Sequence, residues 1–318
     1  MKYSGIGGQA VIEGIMMMKG EDYAVAVRRP DKEIEVKKDT YQSITKKAKI
    51  LQLPFVRGVF RFADSMIIGM RSLTYSASFF EDDEDAEPGK FEQFLDRVFG
   101  EKLESAIMAA VLVISFILAI GIFMLLPLGI ANLFKGVITS DHLMAVLEGV
   151  IRIAIFIIYI KLVSRMEDIR RTFMYHGAEH KCINCVEHGH PLTVKYVRES
   201  SKEHKRCGTS FILIVMVISI LMFMVIRVDT IWMRILSRII LVPVIAGISY
   251  EVLQCAGRSN SKFMDLVSRP GMWMQGLTTK EPDDTMIEVA IAAVEAVFDW
   301  RAYLDENFPG WEKKEEQA

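Results

Sequence analysis

The chain has 318 residues, of which 51% are hydrophobic and 25% are charged, with a net charge of −2 and a mean hydropathy of +0.26. It is long enough for two modest domains. Its positive and negative charges nearly balance, so it lacks the basic excess expected of a protein that binds nucleic acid directly. Four cysteines, three of them near histidines in sequence, do not resemble the disulfide framework of a small secreted protein.

The first 80 residues are predicted to form a region outside the membrane, with a β-hairpin and an amphipathic helix. The segment YAVAVRRPDKEIEVKK (Tyr23–Lys38) has two alternating runs around a turn sequence, which indicates the hairpin. The segment PFVRGVFRFADSMIIGMRSL (Pro54–Leu73) fits a helix whose charged stripe lies opposite its large apolar residues. Such a helix either lies in a membrane interface or packs on its own domain.

The segment GIGGQAVIEGIMMMKG (Gly5–Gly20) is rich in glycine and methionine. It predicts either a buried strand or a methionine-rich surface that adapts to an apolar partner. Its polar residues Gln9 and Glu13 are candidate site residues. Further along, the acidic run Glu81–Glu87 predicts a solvated linker, so residues 81–104 form a linker and lead-in to the next region.

Four segments are apolar enough to cross a bilayer, which takes about 20 residues. They are Ser105–Phe134, Leu143–Val163, Thr209–Ile226 and Ile231–Leu253. Glu148 and Arg152, in the second span, have the spacing of a structural ion pair, and Pro243 in the fourth is tolerable inside a bundle. Residues 105–253 therefore form a four-helix membrane domain with a loop over 164–208. Residues 254–318 are soluble in character, with an amphipathic helix over Thr285–Leu304 that packs on the N-terminal region.

The distribution of basic residues predicts the orientation. Residues 164–208 hold nine Lys or Arg residues, whereas Pro127–His142 holds only Lys135. The positive-inside rule places the loop and both termini in the cytoplasm, in a bacterial cell (inner) membrane. The predicted fold class is mainly α: a polytopic protein with four transmembrane helices and a small α+β cytoplasmic domain. That domain is built from the N-terminal, 164–208 and C-terminal segments, and the bilayer is the expected partner.

The stretch YHGAEHKCINCVEHGH (Tyr175–His190) gathers four of the six histidines and two of the four cysteines. No Gly or Pro precedes it, so the helix of the second span is expected to continue into it and to place His176 and His180 on one face. With Glu179 they form H-x-x-E-H, in which two histidines bind zinc and the glutamate polarises water. We predict zinc or another divalent transition metal there, with Glu179 as the catalytic base.

Further donors lie at the other end of the loop and beyond it. His204 and Cys207 directly precede the third span, and a loop between antiparallel helices brings its two ends together. Glu251, at the end of the fourth span on the same side, is another candidate ligand. Arg206 and Arg198 are candidates to steady an anionic intermediate.

Other interpretations of these residues remain open. His176 and His180 could cap the C-terminus of a helix, where imidazolium is favourable. Glu251 could pair with Arg258 or with another basic residue. A rival zinc-knuckle-like site is offered by Cys182, Cys185, His188 and His190.

Five blocks of the sequence carry a family resemblance: GGQAVIEGIMM (Gly7–Met17), YHGAEHK (Tyr175–Lys181), LTVKYVRESSKEHKRCGTSF (Leu192–Phe211), SYE (Ser249–Glu251) and PGMWMQGLTTKEPDD (Pro270–Asp284). Together they make nearly the whole chain similar to the YqhQ-like family of bacterial membrane proteins. That family has no known function and carries the label of a metal-dependent enzyme. Its pattern centres on HGAEH and RCGTS, and the implied metal cluster is His176, Glu179, His180, His204 and Cys207. The four residues of the rival site fall outside that pattern.

Two functions are consistent with these features. The first is a membrane-embedded metal-dependent hydrolase of a membrane-derived peptide or lipid, with zinc held by His176, His180 and a third ligand from His204, Cys207 or Glu251. The second is a non-catalytic scaffold or biogenesis factor with a structural metal site and a cytoplasmic surface for a protein partner. Catalytic zinc usually keeps three protein ligands, whereas the sequence offers four or five candidates.

Overall fold

The computed structural model describes residues 2–80, 103–226, 230–258 and 261–312. They fall into a larger unit, from residues 2–80, 160–222 and the described part of 226–312, and a smaller unit, from residues 103–159 and 223–225. The mainly helical class, with a small N-terminal sheet and four helices of membrane-spanning length, is confirmed. The predicted linker over 81–104 lies outside the described residues except at its last two positions.

The helices of the described residues have the following bounds: α1 Val56–Ala77, α2 Leu103–Ile120, α3 Leu126–Asn132, α4 Asp141–Val163, α5 Glu167–Glu187, α6 Val194–Glu199, α7 Gly208–Val225, α8 Ile231–Arg258, α9 Lys262–Thr278, α10 Asp284–Val297 and α11 Trp300–Asn307. A π-helical turn, Gly121–Leu125, joins α2 to α3, and two short 3₁₀ helices, Ile44–Lys47 and Lys49–Gln52, precede α1.

The sheet is an antiparallel meander of β1 (Ile6–Val11), β2 (Gly14–Lys19), β3 (Asp22–Arg28) and β4 (Ile34–Thr40). The strands β3 and β4 form the hairpin that the alternating pattern predicts. The glycine- and methionine-rich segment forms β1 and β2. Its Met16 and Met17 are only 3% and 0% exposed, so the expectation of a methionine-rich surface is wrong and the buried-strand interpretation is correct.

The sheet of the larger unit is covered on both faces. Ile15 and Met17 pack with Tyr175 of α5 and Ile287 of α10. On the other face Met16, Val25 and their neighbours pack with Ile68 of α1. Because β2 is buried on both sides, its sequence is a continuous apolar run instead of an alternating one.

Four helical stretches are long and apolar enough to cross a membrane: Val113–Asn132, Asp141–Val163, Gly208–Val225 and Ile235–Ala256. They overlap the four predicted spans, and at most a third of the residues in each stretch are buried. Within the smaller unit, Glu148 and Arg152 form the predicted i,i+4 ion pair at 2.6 Å. Pro243 lies inside α8 without ending it.

Two helices end earlier than their sequences predict. The helix of the second span does not continue into the histidine-rich stretch, because α4 ends at Val163 and extended backbone at Met166 separates it from α5. The predicted helix over Thr285–Leu304 is in fact two helices. Extended backbone at Phe298 ends α10, and the carboxylate of Asp299 accepts a hydrogen bond from Ala302 N–H to begin α11. As predicted, α10 packs on the N-terminal sheet.

Candidate metal centre

His176 and His180 lie four residues apart on α5, and their ring centroids are 4.4 Å apart. The second half of this helix is buried among the sheet, α6 and α10, so the histidine pair is held inside the larger unit. The helix is separate from the second span, but the spacing still places both rings on one face, as predicted.

Backbone carbonyl groups orient both rings. Nδ1 of His176 lies 3.0 Å from the carbonyl oxygen of Thr278, and Nδ1 of His180 lies 2.7 Å from that of Lys202. A carbonyl oxygen can only accept, so each Nδ1 carries the proton and donates it. In the neutral imidazole with its proton on Nδ1, Nε2 keeps a lone pair, and this is the tautomer that metal-binding histidines require.

Cys207 brings a third donor to the pair from the N-terminus of α7. Its Sγ accepts a hydrogen bond from Thr209 N–H at 3.3 Å and lies 3.2 Å from Nε2 of His176. The N-terminal end of a helix stabilises negative charge on such a sulfur. Among the residues that the structure describes, His176, His180 and Cys207 form the group whose potential ligand atoms all lie within 4.8 Å of one another. Two imidazoles and a thiolate suit zinc or a similar divalent transition metal.

A pocket of about 120 Å³ adjoins these donors, and Glu179 lines it together with His176, His180 and Cys207. The carboxylate of Glu179 is buried and faces the backbone N–H of Gly8. Burial raises the pKa of Glu179 to about 6, opposed by the electrostatic effects of the nearby His176 ring and of the Gly8 N–H. The pocket therefore holds a carboxyl group that can exchange a proton near neutral pH.

Two glycines permit the close packing that forms this pocket. A Cβ on Gly8 would lie 2.5 Å from the carbonyl oxygen of Met16 and 3.2 Å from the carboxyl carbon of Glu179. A Cβ on Gly177, inside HGAEH, would lie 2.0 Å from the carbonyl oxygen of Lys280. Because Gly177 has no side chain, α5 can contact the segment that follows α9. Thr278, the last residue of α9, orients His176.

His204 lies beside the three donors but is engaged elsewhere. Its Nδ1 accepts from Arg206 N–H at 3.4 Å, and its Nε2 faces a carboxylate oxygen of Glu187 at 3.5 Å. Both ring nitrogens therefore already have partners, and Gln275 fixes the backbone of His204 by two hydrogen bonds of 2.8 Å. Burial lowers the pKa of His204, opposed by the hydrogen bond to Glu187. The structure thus places His204 behind the metal donors, 5.8 Å between ring centroids from His180.

Glu187 is the centre of a buried network behind the pocket. It accepts hydrogen bonds from Ser4 N–H at 2.9 Å, from Ser4 Oγ–H at 2.7 Å and from Nη2 of Arg206 at 2.5 Å. Burial alone would raise its pKa, but the contacts with His204, Arg206 and Ser4 outweigh burial and lower the pKa of Glu187 to about 2. Arg206 lines the pocket, while its guanidinium pairs with Glu187 and stacks on Tyr3 at 4.3 Å.

Two further candidates lie in ion pairs away from the pocket. Glu251 accepts two hydrogen bonds from the guanidinium of Arg57 in α1, at 2.7 and 2.5 Å, so it pairs with a basic residue that the sequence analysis did not name. Arg198 pairs with Asp284 on the exposed surface. The structure brings neither residue to the three donors.

Gln9 and Glu13 also lie outside the pocket. The side-chain amide of Gln9 donates to the carbonyl oxygen of Ser65 in α1 at 3.3 Å. Glu13, at the β1–β2 turn, accepts hydrogen bonds from the guanidinium of Arg171 at 2.5 and 2.6 Å. Both residues tie the sheet to neighbouring helices.

The four side chains of the rival cysteine site each have a different contact. Cys182 is buried in the apolar core, and the thiol of Cys185 lies 3.3 Å from the carbonyl oxygen of Pro191. Nδ1 of His188 lies 2.8 Å from the carbonyl oxygen of Asn184, and the ring of His190 stacks on Tyr196. They form no ligand group among the described residues.

Sequence reasoning missed the groups that hold the donors in place. The carbonyl groups of Lys202 and Thr278 leave no signal in a sequence, because every residue has one. Gln275 lies within one of the five resemblance blocks, but nothing in its spacing points to His204, from which 71 positions separate it. Glu187 follows the cysteine pair on α5, and its burial could not be foreseen from its charge.

Comparisons with known proteins give a family and one curated relative. The family described as "Protein of unknown function (DUF1385)" matches residues 53–300. "Uncharacterized protein YqhQ" of Bacillus subtilis (strain 168) is 33% identical over 302 residues, which cover 95% of this chain and 94% of the relative. No solved structure matches the chain.

Proposed function

The chain belongs to the DUF1385 family, and from the pocket at His176 and His180 we propose that it is a metal-dependent hydrolase embedded in a membrane. The observation that carries this proposal is the composition of the pocket. Three donors, His176, His180 and Cys207, converge on one point, and the carboxyl group of Glu179 lines the same pocket. Catalytic zinc sites have three protein ligands and a position left for water, whereas structural sites have four protein ligands.

Each residue then has a definite task. The carbonyl groups of Thr278 and Lys202 hold the two imidazoles by Nδ1, so that Nε2 is the nitrogen that would bind an ion. A bound zinc-type ion would act as a Lewis acid that activates water. Glu179 would accept the proton of the attacking water at its carboxylate and return it to the leaving group. Arg206 adds positive charge at the pocket wall, tempered by its ion pair with Glu187.

The position of the pocket supports a substrate that comes from the membrane. Cys207 is the N-cap of α7, which is the third membrane-length helix, so the donors lie where that helix begins. A peptide or lipid held in the bilayer surface can reach this level without leaving the membrane.

Basic residues support a cytoplasmic site. The loop over 164–208, which carries all three donors, holds nine Lys or Arg residues, and Pro127–His142 holds one. With four spans, the positive-inside rule puts the loop and both termini on the cytoplasmic side of a bacterial cell (inner) membrane.

A second candidate is a non-catalytic scaffold with a structural metal site and a surface for a protein partner. The close packing of Gly8 against Glu179 favours it, because this contact ties β1 to α5 whether or not Glu179 takes part in catalysis. Under this alternative, the ion and the Glu179 contact would together fix the loop over 164–208.

The variant Glu179→Gln separates the two candidates. Glutamine keeps the size of the side chain and an oxygen at its end but cannot take a proton from water, and loss of a general base typically costs about 10²–10⁴ in rate. We expect Glu179→Gln to retain its metal and to fail in a deletion strain, like His176→Ala, which loses the metal. The control Glu167→Gln, exposed on the first turn of the same helix, should complement fully. Full complementation by Glu179→Gln but not by His176→Ala would reject the hydrolase in favour of the scaffold.

A further inference from the structure

The helix α1 buries a carboxylate on its inner side and exposes large apolar side chains on its outer side. Asp64 is buried and accepts hydrogen bonds from Tyr41 Oη–H at 2.8 Å and from Ile44 N–H at 3.0 Å. Met66 and Met70, on the other side of the helix, are 60% and 53% exposed. A helix at a water-facing surface has the opposite arrangement.

The helix α9 also presents an apolar face outward. Phe263, Leu266 and Trp273 are each at least 60% exposed and lie on one side of the helix. Its inner side carries Gln275, which is completely buried. With 17 residues and three charges the helix falls short of a membrane span, which takes about 20 predominantly apolar residues.

Both helices pack against membrane-length helices: α1 and α9 contact the first turn of α7, and α1 also contacts α8. The side chain of Gln275 in α9 donates to Ser210 Oγ, on the first turn of α7, at 2.9 Å. The ring of Phe62 in α1 lies 5.6 Å from that of Phe211, the next residue of α7. In the second half of the fourth span, Gly247 of α8 is so close to α1 that an added Cβ would lie 2.4 Å from the carbonyl oxygen of Phe55.

We propose that α1 and α9 are in-plane helices of the membrane interface, and that phospholipid covers their exposed apolar faces. Their exposed apolar residues lie on helices that contact the membrane-length helix α7, through Phe62 of α1 and Gln275 of α9. Exposed Arg61 on α1, with Lys262 and Arg269 on α9, supplies basic groups for anionic headgroups. A tryptophan in the apolar face is typical of helices at this level. This inference does not depend on a metal or on catalysis.

Tryptophan fluorescence in reconstituted vesicles tests the proposal on the full chain. In Trp232→Phe, Trp273 is the exposed tryptophan of the described residues, because Trp300 and Trp311 are buried. Vesicles of phosphatidylcholine and phosphatidylglycerol would carry bromine either near the glycerol end of the acyl chains or near the chain ends. The matched control carries both Trp232→Phe and Trp273→Phe, so it measures the quenching of the buried Trp300 and Trp311 alone. For α1, Met66→Trp in that control background is a second reporter.

We expect both reporters to be quenched about two-fold more by bromine near the glycerol end than by bromine near the chain ends, because an interfacial helix enters only about 5–10 Å. Aqueous iodide should quench neither strongly. Strong quenching by iodide alone would show that the faces are in water and would overturn the proposal. Quenching by neither agent would show that a second copy or a protein partner covers them, and would overturn it equally.

Discussion

The sulfur atom of Cys207 lies 3.2 Å from Nε2 of His176, although 31 positions of sequence separate the two residues. This contact joins the N-terminus of a membrane-length helix to a buried helix of the larger unit. Because His180 completes the group, the site needs the whole 164–208 segment to fold before its donors meet.

Substitution of any of the three donors should release the metal. We expect His176→Ala, His180→Ala and Cys207→Ser each to lower the affinity for zinc by more than the roughly 10–100-fold that loss of an outer-shell partner costs. Titration of the purified, metal-stripped protein with a competing chelator measures the change. Unchanged affinity in any one of the three variants would remove that residue from the site.

His204 provides a control for this experiment, because both its ring nitrogens already have partners in Arg206 and Glu187. We expect His204→Ala to stay within about 10–100-fold of the original zinc affinity, as for an outer-shell residue. A loss as large as that of His180→Ala would make His204 a ligand, and the three-donor site would be wrong.

The carboxylate of Glu251 is bound by the guanidinium of Arg57, so it should not contribute to metal binding. We expect Glu251→Ala to keep its full metal content and to lose about 0.2–1 kcal/mol of stability, typical of a partly exposed ion pair. The double variant with Arg57→Ala should lose less than the two single losses combined. Metal analysis together with thermal unfolding in detergent checks both parts, and a drop in metal content would restore Glu251 as a ligand.

Gly177 is required by a contact and not by helix formation. In a helix interior alanine is favoured over glycine by about 1 kcal/mol, so propensity alone predicts that Gly177→Ala is stabilising. The Cβ of an alanine at this position would lie 2.0 Å from the Lys280 carbonyl oxygen, so the substitution is expected to destabilise the protein instead. We expect a loss of about 1–3 kcal/mol, as for overpacked sites. The control Gly276→Ala, which meets open space in α9, should be neutral or stabilising. Thermal unfolding of both variants decides, and a stable Gly177→Ala would contradict the close packing.

The Glu187 carboxylate should stabilise the protein only above acidic pH. Its pKa is lowered from 4.5 to about 2 in the folded state, so its stabilisation is complete above pH 4.5 and is lost as the pH falls toward 2. The difference corresponds to about 3 kcal/mol. We expect Glu187→Gln to unfold at a lower temperature at neutral pH, with the gap to the original protein narrowing as the medium is acidified. A gap that does not change with pH would show that the carboxylate charge plays no part.

Local patterns in the sequence were sufficient for much of the fold. Runs of apolar residues predict the four membrane-length helices to within four residues, except that the first begins eight residues later, because length and composition alone decide whether a helix suits a bilayer. The alternation around Pro30 predicts the hairpin of β3 and β4 for a similar reason. The spacing of His176 and His180 predicts that they share a helix face.

The missed features depend on partners far away in the chain. The pairing of Glu251 with Arg57 crosses 194 positions, and no local pattern indicates it. The separation of α4 from α5 arises at Met166 without a Gly or Pro to mark it. The placement of His204 behind the donors depends on Glu187 and Gln275, whose burial follows from tertiary packing.

X-ray absorption at the zinc edge of the purified protein tests the central claim most directly, namely that His176, His180 and Cys207 bind one ion together. The site predicts one ion per chain with two nitrogen neighbours at about 2.0–2.1 Å and one sulfur neighbour at about 2.3 Å, and the sulfur signal should vanish in Cys207→Ser. A first shell without sulfur, or a spectrum that Cys207→Ser leaves unchanged, would contradict it.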